Sequence, residues 1–99
     1  MKYITDIDVD TISASQLQGI HTTHDRKTTA TILRYLKSFA PCKFTSAPVI
    51  DIVTGETVAD ADNGFSDGEY TWYVSEVYYF ERYHFPLNQH FIDHVLAKS

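Results

Sequence analysis

A single cysteine, Cys42, leaves no intrachain disulfide to form, and a reducing compartment is the simplest setting for such a chain. Cys42 is expected to be a small structural residue, because a reactive thiol needs an electropositive setting and a partner base. Four glycines in 99 residues nearly exclude a phosphate-cradling nucleotide loop, and no G-x-S-x-G elbow occurs. No run approaches the roughly 18 apolar residues that cross a bilayer. The opening MKYITDIDVD holds one lysine, three aspartates and no apolar core of signal-peptide length. Repeats and low-complexity tracts are missing too, so the expectation is one cytoplasmic domain spanning residues 1–99.

Positive charge is scarce in the second half. Residues 1–49 hold six Lys/Arg against four Asp, whereas residues 50–99 hold two against nine Asp/Glu. Between Asp51 and Glu81 lie eight acids and no base. Such a field repels nucleic acid and anionic membrane and attracts basic partners. The plainer reading is that the acids keep a small protein in solution.

Periodicity predicts an α+β fold, mainly helical: three or four helices with one small antiparallel hairpin in mid-chain. Tyr3, Ile4, Ile7 and Val9 alternate as a short edge strand or an irregular arm. Ser13 is a cap for a short helix ending near Gly19. Asp25 opens the first strong helix, with Ile32, Leu33, Leu36 and Phe39 as its buried stripe and Pro41 as its stop. Val49, Ile50, Ile52 and Val53 make one strand, Thr54-Gly55-Glu56 a turn, and Thr57-Val58 the return. DADNGFSDG, residues 60–68, is expected to be a loop. Tyr70–Val74, rich in β formers, is open between strand and helix; helix is expected from Ser75, its candidate cap, with Glu76 and Glu81 outward. Asn88 caps a last helix that buries Phe91, Ile92, Val95 and Leu96.

The polar motifs are incomplete. Asp60 and Asp62 stand where an EF-hand loop would have acids, yet glycine falls at the fifth position and Thr71 at the twelfth. His90 and His94 share a helix face, as a metal pair would, without the glutamate of a zinc protease. His21, His24 and Asp25 offer a base and an orienter, but nothing marks a nucleophile. No enzyme and no cofactor is expected.

Ten of the fourteen aromatic residues lie between Phe65 and Phe91. Trp72, Phe80, Phe91 and Tyr78 suit a core. The remaining tyrosines are many hydroxyls to bury, since each buried one needs a partner. Exposed rings in an acidic field suit a protein interface, where aromatics anchor and charge steers. The expected partner-binding residues are Asp60, Asp62, Asp67, Glu69, Tyr70, Tyr73, Glu76, Tyr79 and Tyr83. A basic protein fits them, a nuclease well, because nucleases are basic where they grip phosphate. Direct nucleic-acid and membrane binding are not expected.

DGEYTWYVSEVYYFERYHFPLNQHFIDHV, with IDIVTGE ahead of it, resembles small immunity proteins of bacterial toxin–immunity loci, including those of contact-dependent growth inhibition. The likeness covers residues 48–96 and rests on pattern and aromatic positions. It implies a cytoplasmic antitoxin that binds and blocks a cognate toxin domain, often a nuclease. It implies no particular architecture and carries over no site residues. Two other readings stay open: a small metal-binding or hydrolytic domain using His84, His90 and His94, and an adaptor or self-associating structural protein. A monomer is favoured.

Overall fold

A computed structural model describes residues 2–7, 11–19 and 24–98. Val9 and His21 lie outside the described residues. The elements in chain order are β1 (Lys2–Tyr3), α1 (Ala14–Gln18), α2 (Arg26–Leu36), β2 (Val49–Ile50), β3 (Thr57–Ala59), β4 (Gly64–Ser66), β5 (Tyr70–Tyr73), α3 (Val74–Tyr83) and α4 (Gln89–Leu96). Among the described residues the architecture is α+β with four helices and two small sheets. A single hairpin therefore understates the β content. One sheet is mixed, in the order β1-β5-β4, and the other is the antiparallel pair β2-β3.

The helix starts follow local chemistry. Ser13 and Gln16 form a reciprocal capping box on α1, with the Gln16 N–H on Ser13 Oγ at 3.2 Å and the Ser13 N–H on Gln16 Oε1 at 2.9 Å. Asp25 Oδ1 accepts the Thr28 N–H at 2.6 Å and starts α2. That helix ends at Leu36, five residues short of the expected stop at Pro41. Ser38 Oγ donates to the Tyr35 carbonyl at 2.7 Å, and the buried Trp72 indole N–H donates to the Leu36 carbonyl at 3.3 Å. Carbonyls the next turn would have used are already taken.

The hairpin departs from its expected outline. Ile52 and Val53 leave the strand, because Asp51 Oδ1 accepts the Val53 and Thr54 N–H groups at 2.8 and 3.1 Å. This Asx turn, with Gly55 at φ 77°, spends two β-branched residues on the bend. Val49 pairs with Ala59 and Ile50 with Thr57, so Val58 is the extra residue of a bulge.

Residues 64–66, expected in a loop, form β4. Gly64 is small because the chain crosses there: a Cβ would sit 2.9 Å from Lys43 Cβ and 3.2 Å from the Tyr73 ring. Lys43 also accepts the Gly64 N–H through its carbonyl at 2.8 Å. The glycine permits close approach within a strand. Cys42 is exposed, and its fold contribution is a backbone N–H given to the Gly64 carbonyl at 2.9 Å.

Helix α3 begins at Val74, with Tyr73 as its cap residue, not Ser75. Ser75 lies in the first turn and gives its N–H and its hydroxyl to the two oxygens of Asp62, at 2.9 and 3.1 Å. Glu76, expected outward, is buried and accepts the Tyr73 backbone N–H at 3.0 Å. Asn88 caps α4 by position, while its amide reaches back to the Tyr3 carbonyl at 3.2 Å and ties β1 down. One core joins these parts around Trp72, with Ile4, Leu17, Ile32, Leu36, Tyr70, Phe80, Phe85, Phe91 and Val95. Leu96 stays exposed beyond it. Among the described residues no helix is long and apolar enough to cross a membrane.

Candidate functional site

The aromatic and acidic residues that suggested a binding surface are mostly turned inward. Asp51 is fully buried. Its Oδ2 accepts Tyr78 OH at 2.5 Å and Tyr83 OH at 2.7 Å, both from α3. Burial works against the ionised carboxyl, but the two phenols and the two turn N–H groups outweigh it and hold its pKa at about 2. In return the carboxylate bond and desolvation push the Tyr78 phenol up to about 12, and burial with the same carboxylate raises Tyr83. Tyr79 completes the grip: it donates to the Ile50 carbonyl at 2.7 Å and accepts the Ile52 N–H at 3.3 Å. Three tyrosines of one helix thus hold the β2–β3 hairpin.

A second buried acid lies at the β4–β5 turn. Asp67 Oδ1 accepts the Glu69 and Tyr70 N–H groups at 2.9 and 2.7 Å. Its Oδ2 accepts Tyr35 OH at 2.5 Å from α2 and His94 Nε2–H at 2.8 Å from α4. Burial opposes the charge on Asp67, yet these donors hold its carboxyl well below the usual range; burial and Asp67 together raise Tyr35. Facing a carboxylate, His94 keeps its proton on Nε2, and its Nδ1 looks toward Glu69 Oε2 at 3.9 Å. The arrangement has the base and orienter of a hydrolytic triad, but the polar partners of His94 among the described residues are both carboxylates, so it lacks a nucleophile.

Of the nine expected partner-binding residues, four are corrections. Tyr70 and Tyr79 are core residues, Glu76 is buried, and the Asp67 side chain is 3% exposed. Their rings and charges are used inside the fold. Tyr73 and Tyr83 are half-buried, Asp62 caps α3, and Glu69 pairs with Lys2 at 3.2 Å. Within the nine, Asp60 is the exposed acid that no ion pair among the described residues engages. The histidines are not gathered either. His90 shares a hydrogen bond with Tyr70 OH at 2.8 Å, His94 is on Asp67, and His84 lines a separate cleft beside His24. No three His, Cys, Asp or Glu side chains are grouped to hold a metal among the described residues.

The surface that remains is the arm from Phe44 to Asp60. Phe44 is 78% exposed, Ile50 46%, and Ile52 and Val58 36% each. Glu56 and Asp60 belong to the same stretch of sequence, exposed and without a cation partner among the described residues. The sequence has no Lys or Arg from Phe44 to Glu81. Sequence reasoning passed over the apolar members because β-branched residues were assigned to strand formation alone. The alternation of buried Val49 with exposed Ile50 was the available signal. No protein-family model matches the chain, and neither a curated protein nor a solved structure does.

Proposed function

We propose that the chain is a cytoplasmic immunity-type antitoxin that binds a basic protein toxin domain, a nuclease, and blocks its active site. The observation that carries this reading is the arm: four exposed apolar side chains beside Glu56 and Asp60, in a stretch without one base. An apolar centre with an acidic rim matches how interfaces divide their work, with packing giving residence time and charge giving encounter rate. The carboxylates take the place of substrate phosphates in a basic groove, and Phe44 and Ile50 fill apolar pockets beside it. Fixing the hairpin on α3 lowers the ordering cost of docking. The binding residues in this proposal are Phe44, Ile50, Ile52, Glu56, Val58 and Asp60, with the expected tyrosines as the scaffold beneath them.

The test is capture of the protein encoded immediately upstream, expressed as an inactive variant, at low salt with a salt-step elution. The expected outcome is a single basic protein, toxic when expressed alone, whose retention falls steeply with salt. Charge reversal at Glu56 and Asp60 slows association, and Phe44→Ala speeds dissociation. A toxin bound equally well by all of these variants would exclude the arm as its docking surface. A neighbour that neither binds nor is toxic would exclude the antitoxin reading.

A further inference from the structure

At the opposite charge extreme from the arm, a cleft of about 420 Å³ opens between the first turns of α2 and the end of α3. It is lined by His24, Arg26, Thr29, Ala30, Leu33 and His84, with no acid among the described lining residues. In a chain of net charge −5 this is a local reversal. The nearest acid in sequence, Asp25, is already engaged with the Thr28 N–H. Arg26 has no ion-pair partner among the described residues.

Two further features set the cleft apart. His24 Nε2 is the buried side-chain polar atom that has no hydrogen-bond partner among the described residues. Buried polar groups are nearly always paired, so a ligand or a water is called for at this atom. His84 holds the left-handed conformation at φ 56° and ψ 42°, the only non-glycine residue among those described with positive φ. Its N–H reaches the Phe80 carbonyl and the Phe85 N–H reaches that of Tyr79, a helix end at which glycine is the usual residue. A ring is kept where a hydrogen would sit more easily, and that ring lines the cleft.

We infer that this cleft binds a small phosphate monoester. The Arg26 guanidinium offers a planar fork of donors, which suits phosphate oxygens better than a point charge does. The Thr29 hydroxyl and the two imidazoles add donors around it. Ala30 and Leu33 form an apolar floor for the ester's organic group. Arg26 at the rim disfavours a metal cation held between the two histidines. The site shares no residue with the arm, so its failure leaves the proposed antitoxin function standing.

The experiment is an NMR titration of the full chain with phenyl phosphate, methyl phosphate and inorganic phosphate, at ionic strength held constant with sodium chloride. Saturable shifts are expected at His24, Arg26, Thr29 and His84, including the ring nitrogens of His24, with phenyl phosphate binding tightest. Arg26→Gln weakens binding by about tenfold. His84→Gly also weakens it while its melting temperature holds or rises, since glycine is at ease in this backbone conformation; that separates loss of the ring from loss of the fold. Shifts that never saturate and spread equally over Lys2, Lys43 and Lys98 would overturn the site. So would wild-type affinity in both variants. Equal affinity for the phenyl and methyl esters would overturn the apolar floor and with it the monoester assignment.

Discussion

Asp51 closes the β2–β3 turn and Asp67 closes the β4–β5 turn, and each divides its oxygens the same way. Oδ1 accepts two backbone N–H groups of its own turn, and Oδ2 accepts two side chains from helices. The company at Oδ2 differs. Asp51 takes two phenols from α3, whereas Asp67 takes a phenol from α2 and an imidazole from α4. An imidazole can move its proton between nitrogens and offer a lone pair instead. A phenol oxygen can accept too, but its displaced O–H must then find another acceptor. The same carboxylate device is thus rigid in its demands at Asp51 and adaptable at Asp67. It also joins different numbers of parts: Asp51 ties one hairpin to one helix, and Asp67 ties a turn to two helices.

The largest expected effect breaks this comparison at its stiffer end. Asp51→Asn costs about 3 kcal/mol, because two charge-assisted bonds weaken inside the protein. Asp67→Asn costs about half as much, since the side-chain amide can donate to His94 Nε2 once its proton sits on Nδ1, beside Glu69. Urea denaturation of both variants measures the difference, and equal losses would show that the imidazole lends no adaptability.

Next comes additivity. Tyr78→Phe and Tyr83→Phe each cost about 1 kcal/mol, since the carboxylate keeps one phenol in either variant. The double variant costs more than the two singles together by roughly 1 kcal/mol, because the buried charge is then left with its turn N–H groups alone. A double-mutant cycle in urea reads the coupling, and strict additivity would mean that the two phenols act independently.

The pH dependence sharpens the contrast further. A carboxyl whose folded pKa lies below its unfolded value stabilises above the unfolded value, and loses that contribution as pH falls through the folded one. For Asp51 the window runs from 3.8 down to about 2. Asp67 is also held below the usual carboxylate range. Protection of the hairpin amides of residues 49–59, read by hydrogen exchange against intrinsic rates, therefore falls through the Asp51 window. On the alkaline side the sign reverses. Tyr78, raised from 10.0 to about 12, stabilises fully below the lower value and loses its contribution as pH rises through the higher one. Hairpin protection that stays flat through the Asp51 window would refute the linkage.

The smallest effect belongs to the outer face of the same hairpin. Ile50→Thr and Val58→Thr are expected to shift stability by less than about 0.5 kcal/mol, as surface changes do. A loss above 1 kcal/mol in thermal denaturation would show these side chains to be part of the core and not a free surface.

These nodes mark where sequence reading succeeds and where it stops. The caps Ser13, Asp25 and Asn88 and the short mid-chain hairpin were legible, because each is decided by neighbours within a few residues, whereas Tyr70–Tyr73 stayed open between strand and helix. The partners of Asp51, Asp67 and Asp62 were not. Tyr78, His94 and Ser75 stand 27, 27 and 13 residues away from them, and periodicity carries no information about which acid a tyrosine meets. The inference that so many phenols must reach the surface failed for the same reason. Buried hydroxyls need partners: Asp51 takes Tyr78 and Tyr83 and Asp67 takes Tyr35, while His90 and the Ile50 carbonyl serve Tyr70 and Tyr79. For the candidate site, the acidity of the arm was visible in the sequence, and its apolar face was hidden behind the β propensity of the same residues.

The pairing of β1 with β5 has a consequence for synthesis. Lys2 pairs with Tyr70 and Tyr3 with Thr71, so β1 leaves the ribosome long before the strand it pairs with. The hairpin likewise emerges before Tyr78, Tyr79 and Tyr83 exist to hold it. A nascent chain arrested before residue 70 can complete neither the mixed sheet nor the anchorage of its acidic arm. Contacts of such long sequence separation slow folding. The segment from Tyr70 onward thus organises the residues that precede it.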